Sequence, residues 1–243
     1  MENRSNTVPF VIGHRGAAGL APENTIASLR RAKIEGASWV EFDVMLSACG
    51  VPVVIHDHSL DRTTDGHGLV AKTSLSDILS LDAGVWFSDK YRGEKVPELS
   101  AVLERLSALN IRPNIELKPT TGMEEETARA VLSTVESVWP HSLPKPLYSS
   151  FNYQCLQVMR ELSRDAMLGL VLNFAEGWQA KADALACVSV HLNHRCISAK
   201  TASEIKSSGR MLLAFTVNNQ KRAEKLFRLG VDAVFSDYPD LLS

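Results

Sequence analysis

The 243-residue sequence predicts an α/β protein folded as a (β/α)₈ barrel, and three observations favour this fold. First, eight short β-type runs alternate with helix-type stretches along the chain. Second, a chain of this length with 45% hydrophobic residues has enough apolar side chains for one barrel core. Third, no glycine-rich nucleotide-binding turn follows the first run, where an open doubly wound sheet usually carries one. We therefore predict a single barrel domain over residues 1–243.

The predicted strands are short runs that are mostly apolar. In chain order they cover residues 10–14, 39–43, 112–118, 146–151, 167–172, 187–193, 211–218 and 233–237. Parallel barrel strands all end at the same face, so we expect polar residues at the ends of these runs to meet there.

Seven stretches between the strands have the apolar spacing of amphipathic helices. Residues 24–35 stop at Gly36 and residues 219–229 stop at Gly230, since glycine commonly ends a helix. Residues 121–138 open with a threonine and carry three glutamates in the first turn, which predicts a capping box. The tail at residues 239–242 is a candidate eighth helix.

Residues 44–97 interrupt the alternation, ahead of a predicted helix at residues 98–109. The segment contains a β-type run at residues 51–55 and a helical piece that begins near Ser74. It also carries an aromatic patch formed by Trp86, Phe87 and Tyr91. Long insertions with elements of their own are usually functional, and this one follows the carboxyl end of a strand. We expect residues 44–97 to form a cap or wall over a site.

Composition and charge exclude several classes of protein. Lys plus Arg number 26 and Asp plus Glu number 28, so the net charge of −2 predicts no nucleic-acid partner. The apolar run at residues 8–12 is too short for a signal peptide, and no stretch predicts a membrane anchor. The four cysteines are scattered, which is typical of free thiols in a reducing compartment. We therefore expect a cytoplasmic protein. The sequence contains no feature that indicates its oligomeric state.

Acidic side chains lie on one face of two predicted strands. Because strand side chains alternate, Glu41 and Asp43 share a face, as do Asn114, Glu116 and Lys118. Three inward acids are costly to bury without a cation, and carboxylate oxygens suit one Mg²⁺, Ca²⁺ or Mn²⁺ ion. Each acid alone could equally be a paired barrel carboxylate, with Lys118 neutralising one acid or contacting an anion.

Histidines and an arginine lie at strand ends near these acids. His14 and Arg15 end the first strand, and His56 ends the β-type run of the insertion. Histidine gives or takes a proton near neutral pH, and arginine presents a planar fork that suits phosphate. With a metal and Lys118, these groups can perform phosphoryl chemistry. Candidate pocket residues at later strand ends are Phe215, Asn218 and Asp237, with Phe215 alone also fitting the core. Weaker candidates are His58, His191 and His194, whereas His67 and His141 are expected at the surface.

The chain resembles the glycerophosphodiester phosphodiesterase family, and most closely the bacterial cytoplasmic form. The resemblance covers nearly the whole chain in the family's order. The matching motifs are His14-Arg15-Gly16, Pro22-Glu23-Asn24-Thr25, Glu41-Phe42-Asp43-Val44, Val53-Val54-Ile55-His56-Asp57, Asp61-Arg62-Thr63-Thr64-Asp65-Gly66, Val96-Pro97-Glu98-Leu99, Asn114-Ile115-Glu116-Leu117-Lys118, Thr216-Val217-Asn218 and Ser236-Asp237-Tyr238-Pro239.

The resemblance implies a (β/α)₈ TIM barrel with an insertion after strand 2, and it implies roles for the residues above. By resemblance, Glu41, Asp43 and Glu116 bind the divalent cation, and His14 and His56 are the general acid and base. Arg15 and Lys118 would contact the phosphate. Phe215 stands where the family often has Trp, so one substrate-binding wall differs.

The implied reaction is hydrolysis of a glycerophosphodiester, a deacylated phospholipid headgroup, to an alcohol and sn-glycerol 3-phosphate. The nucleophile is either water or the substrate's neighbouring hydroxyl, and either histidine could be the acid. The sequence leaves the headgroup and the choice of cation open. Alternatives are a lysophospholipase D-like enzyme with an apolar surface at residues 86–91, and a non-catalytic binder of phosphate compounds. A nucleic-acid phosphodiesterase would need a basic track that this chain lacks.

Overall fold

The computed structural model describes residues 8–242 and shows a closed barrel of eight parallel strands with helices between them. The predicted (β/α)₈ TIM barrel is therefore confirmed. The strands are β1 (Val11–Gly13), β2 (Trp39–Leu46), β3 (Pro52–Val54), β4 (Arg112–Leu117), β5 (Leu147–Ser150), β6 (Met167–Leu172), β7 (Ser189–Asn193), β8 (Met211–Phe215) and β9 (Ala233–Ser236). Strand β3 is outside the barrel: it pairs antiparallel with β2, and the pairing of β1 with β2 and with β9 closes the ring.

Helices connect the barrel strands on the outside. They are α1 (Ile26–Ile34), α2 (Leu75–Ser80), α3 (Leu99–Leu109), α4 (Glu124–Val138), α5 (Tyr153–Leu162), α6 (Trp178–Ala184), α7 (Ala199–Ser207) and α8 (Gln220–Arg228). Among the described residues, α2 belongs to the insertion and the other seven helices follow barrel strands. No described helix is both long enough and apolar enough to cross a lipid bilayer.

Two helix predictions were wrong. Helix α4 begins at Glu124 after Met123, and no side chain caps its first turn, so the threonine of the predicted capping box lies outside the helix. The three glutamates do occupy the first turn, where negative charge offsets the helix dipole. The tail forms a turn instead of an eighth helix, because residues 239–242 are too few for a stable helix of their own.

The strands divide their side chains between two cores, as the alternation predicts. Val40, Phe42 and Val44 point outward into the core beneath the helices. A separate cluster made only of strand residues fills the barrel interior; its buried members are Ile12, Trp39, Leu147, Leu213, Ala233 and Phe235. The polar residues at the carboxyl ends of the strands lie above this apolar cluster.

The insertion has a small core of its own around Met45, Val53 and Ile78. The patch of Trp86, Phe87 and Tyr91 packs edge to face with ring centroids 5.7 Å apart in each pair. The Tyr91 hydroxyl donates to the Leu20 carbonyl at 3.0 Å. These aromatic residues therefore pack the insertion against the loop after β1.

Candidate active site

Three carboxylates converge at the carboxyl ends of β2 and β4. Parallel pairing places Asp43 beside Glu116, and one oxygen from each of Glu41, Asp43 and Glu116 lies within 4.8 Å of the others. Burial and the charges of Asp43 and Glu116 raise the pKa of Glu41 well above its usual range. Burial and the charge of Asp43 raise the pKa of Glu116 to about 8. Such mutually repelling oxygens fit a divalent cation, which would supply the missing positive charge.

Cationic groups surround Asp43, the third carboxylate of the cluster. Although burial alone would raise the pKa of Asp43, the charges of Arg15 and Lys118 hold it below the usual value. Arg15 Nε lies 3.4 Å and Lys118 Nζ 3.6 Å from Asp43 oxygens. Asn24 Nδ2 also donates to Asp43 Oδ2 at 2.9 Å. Asp43 is therefore ionised, and both predicted phosphate-contacting cations lie beside the acid cluster.

The loop after β1 presents Arg15 in an unusual conformation. Its φ of 47° lies in the left-handed region, which side-chain-bearing residues seldom adopt. The Arg15 backbone N–H donates to Glu41 Oε2 at 3.0 Å, and its carbonyl accepts from the Ser28 hydroxyl. Gly16 lies against Ser28, where an added Cβ would be 2.1 Å from the Ser28 hydroxyl oxygen. The loop is thus fitted closely to the start of α1.

His14 is held by a carboxylate from the far end of the chain. Its Nδ1 lies 2.6 Å from Asp237 Oδ1, while its Nε2 is 3.9 Å from Glu41 Oε2. Asn218 Nδ2 donates to the other Asp237 oxygen at 2.5 Å. Although burial alone would raise the pKa of Asp237, the His14 hydrogen bond lowers it. An ionised carboxylate only accepts, so His14 donates from Nδ1 and directs Nε2 into the site.

The loops that follow β1 and β9 are packed directly on each other. The Gly19 backbone N–H donates to the Asp237 carbonyl at 3.0 Å. A Cβ added to Gly19 would lie 2.5 Å from a Tyr238 ring carbon, so a larger residue there requires the Tyr238 ring to move.

His56 has a matching partner next to it in the chain. Its Nδ1 lies 2.5 Å from Asp57 Oδ1, and Asp57 in turn pairs with Arg62 at 2.6 Å. Hydrogen bonds from Arg62 hold the pKa of Asp57 far below its usual range, so His56 also donates from Nδ1. Burial lowers the pKa of His56 below its ordinary value. Both histidines therefore present an unprotonated Nε2 when the imidazole is neutral.

A cavity of about 180 Å³ lies over these groups at the barrel mouth. One side of it is charged, with the two histidines, Arg15 and the three acids. Residues from β5 to β9 form an apolar side that includes Phe151, Val171, Phe215 and Phe235. The rings of Phe151 and Phe215 meet edge to face at 5.6 Å. An amphipathic molecule with one anionic group fits such a cavity.

The structure brings the predicted site residues together. Seven of them line the cavity: His14, Arg15, Glu41, Asp43, His56, Glu116 and Phe215. The eighth, Lys118, contacts Asp43 at the edge of the cluster.

The sequence did not reveal the partners that hold these residues, which are Glu23, Asn24, Asp57 and Arg62. It indicated Asp237 only as a candidate pocket residue, whereas the structure shows it bound to His14. Asp237 could have been paired with His14, because closing a barrel brings its last and first strands together. His191 lines the cavity floor, fully buried with a pKa lowered to about 3, and its ring shares a hydrogen bond with Ser189 at 2.9 Å.

Comparisons with known proteins identify the family of this chain. The model of the glycerophosphoryl diester phosphodiesterase family matches residues 14–241. A glycerophosphodiester phosphodiesterase of Caldanaerobacter subterraneus is 33% identical over 239 residues, covering 96% of both chains. One of Bacillus subtilis is 34% identical over 250 residues, covering 96% of this chain and 84% of its own.

A solved structure supports the same family. An Oleispira antarctica phosphodiesterase, in complex with the product sn-glycerol-3-phosphate, superposes with a TM-score of 0.94 at 44% identity. The match covers 96% of this chain and 94% of that one. The chain therefore belongs to the glycerophosphoryl diester phosphodiesterase family and is a phosphoric diester hydrolase.

Proposed function

We propose that this enzyme hydrolyses glycerophosphodiesters to an alcohol and sn-glycerol 3-phosphate, with a divalent cation and two histidines. One observation carries the proposal: a single cavity is bounded by three clustered acids and by two histidines that are each held by a carboxylate. The product bound to the Oleispira antarctica relative supports the same product here.

The acids Glu41, Asp43 and Glu116 would hold the cation, Mg²⁺ or Ca²⁺ with Mn²⁺ also suited, since hard cations take oxygen ligands. When bound, the cation supplies positive charge that stabilises the negative phosphoryl oxygens. Arg15 and Lys118 lie beside this cluster and would bind the phosphate from the protein side.

The two histidines divide the proton transfers. One Nε2 takes the proton of the attacking hydroxyl while a new P–O bond forms, and the other imidazolium protonates the departing alcohol as its P–O bond breaks. The attacking hydroxyl is water, or the substrate's own neighbouring hydroxyl followed by hydrolysis of a cyclic phosphate. Asp57 and Asp237 would stabilise each imidazolium while it carries the extra proton.

The apolar side of the cavity would bind the carbon skeleton of the substrate, with Phe215 as one wall. The four free cysteines and the balanced net charge favour a water-soluble substrate in the cytoplasm.

The test is release of sn-glycerol 3-phosphate from glycerophosphocholine and glycerophosphoethanolamine, with Mg²⁺ or Ca²⁺ and after chelation. We expect metal-dependent release from both compounds. Lysophosphatidylcholine is included as a third substrate and is followed by choline release, because its cleavage leaves lysophosphatidate instead of sn-glycerol 3-phosphate. Choline release faster than that from glycerophosphocholine would replace the proposed substrate class with lipids. Release that persists after chelation would contradict the role of the cation.

A further inference from the structure

One arginine of the insertion joins two carboxylates at the edge of the site. Arg62 Nε and Nη2 donate to the two oxygens of Asp57 at 2.6 and 3.0 Å. Its Nη1 and Nη2 donate to the two oxygens of Glu23 at 2.9 and 2.7 Å. A single guanidinium therefore makes a two-pronged contact with each acid. Such paired contacts fix the relative position of all three groups.

Each of these carboxylates continues to a different residue of the site. Asp57 Oδ1 accepts from His56 Nδ1 at 2.5 Å, and Glu23 Oε1 accepts from Arg15 Nη1 at 2.7 Å. Arg62 is thus one step removed from both the histidine that would move a proton and the arginine that would bind phosphate. Within this network, His56 and Arg15 are connected only through Asp57, Arg62 and Glu23.

The network is electrically balanced and partly buried. Its members are two arginines and two acids, and the Glu23 side chain is only 10% exposed. Although burial alone would raise the pKa of Glu23, hydrogen bonds from Arg62 lower it. The two acids approach the same guanidinium, so removing Arg62 would leave them repelling each other.

We propose that Arg62 is a positioning residue that holds His56 through Asp57 and Arg15 through Glu23. The insertion thereby aligns a proton-transfer group and a phosphate-binding group together. This inference rests on the proposed function of the site.

The test compares the steady-state constants of four variants. Asp57→Asn should lower kcat more than it changes KM, because Asp57 contacts His56 directly and reaches Arg15 only through Arg62 and Glu23. Glu23→Gln should raise KM more than it changes kcat, because Glu23 contacts Arg15 directly and reaches His56 only through Arg62 and Asp57. Arg62→Gln should change both, by up to about 100-fold in kcat/KM. Arg62→Lys should recover only part of the loss, since an ammonium cannot make both two-pronged contacts.

A matched control separates positioning from stability. Arg92 lies in the same insertion, is exposed, and pairs with Asp89. Arg92→Gln should leave kcat and KM unchanged. Thermal unfolding of each variant, with kinetics measured well below the melting temperature, removes any contribution from unfolded protein.

A second readout does not depend on turnover. In imidazole ¹⁵N spectra of the wild type, the His56 signals should show one tautomer with the proton on Nδ1, and Arg62→Gln should show averaging between tautomers. If the wild type releases no product, the proposed function fails, and these spectra still decide the role of Arg62. Unchanged His56 signals, or Arg62→Gln kinetics equal to those of the wild type, would overturn the inference.

Discussion

His14 Nδ1 and Asp237 Oδ1 lie 2.6 Å apart, although 223 positions separate them along the chain. Barrel closure produces this contact, because β1 pairs with β9 and places Gly13 beside Ser236. The residues that follow these two partners, His14 and Asp237, are then neighbours at the carboxyl end of the sheet. The histidine gains an orientation that no local sequence feature supplies.

Removing the charge of Asp237 tests this contact. Asp237→Asn should lower kcat by about 100-fold at nearly constant KM, because the amide no longer stabilises the imidazolium of His14. Steady-state kinetics with glycerophosphocholine measure this change. Asp240→Asn, in the same exposed segment, is the control and should behave as the wild type. Equal kcat in Asp237→Asn and the wild type would exclude a role for the pair.

Each histidine can also be removed outright. His14→Ala and His56→Ala should each lose about 10²–10⁴-fold in turnover, because each removes one proton-transfer group. Both side chains are partly exposed, so circular dichroism should show folded protein in both cases. A variant that keeps wild-type turnover would remove that histidine from the mechanism.

If the acid cluster binds the cation, a substitution in the cluster should lower the affinity for the cation. Glu41→Gln replaces an anionic ligand by a neutral amide, so the affinity for Mg²⁺ or Ca²⁺ should fall by at least about tenfold. Titration calorimetry on chelator-treated protein measures it, with the exposed Glu125→Gln as control. An unchanged dissociation constant in Glu41→Gln would place the cation elsewhere.

Glu116 predicts a pH dependence of the metal-free stability. Its pKa of about 8 in the folded protein exceeds the ordinary value of 4.5, so folding favours the protonated form. The stability that this group contributes is full below pH 4.5 and is lost as the pH rises towards 8. Urea unfolding between pH 5 and 8, with chelator, should show a smaller loss in Glu116→Gln than in the wild type. Parallel curves for the two proteins would mean that Glu116 titrates normally.

If the apolar side of the cavity contacts the substrate, a substitution there should weaken substrate binding. Phe215→Ala removes one ring of the pair with Phe151 and opens the wall. We expect KM for glycerophosphocholine to rise by about tenfold, with kcat less affected, because apolar contact is lost in the ground state as well. Phe174→Ala, an exposed phenylalanine outside the cavity lining, is the comparison. Equal KM in both variants would show that the ring does not touch substrate.

The barrel and its acids were predictable because they depend on local periodicity. Alternation along residues 39–44 places Glu41 and Asp43 inward, and the structure agrees. Helix and strand ends were less predictable: β8 ends at Phe215, three residues before the predicted end, and Phe215 and Thr216 line the cavity. The ends depend on tertiary hydrogen bonds that a single sequence does not display.

The supporting residues could not be found in the same way. Arg62 lies in a turn-rich stretch with no regular period, and its partner Glu23 is 39 positions away. Only the packing of the insertion against the loop after β1 brings them together. Asp57, by contrast, was adjacent to His56 in the sequence, and its role needed only the side-chain geometry.

The close fit of Gly19 against Tyr238 connects a position that carries no chemistry with the segment that carries Asp237. A side chain at residue 19 would displace the partly exposed ring of Tyr238. Any displacement that the ring does not absorb would act on the backbone next to Asp237, whose carboxylate holds His14. A substitution at this glycine would therefore change turnover only through the orientation of His14, while every catalytic side chain stays intact.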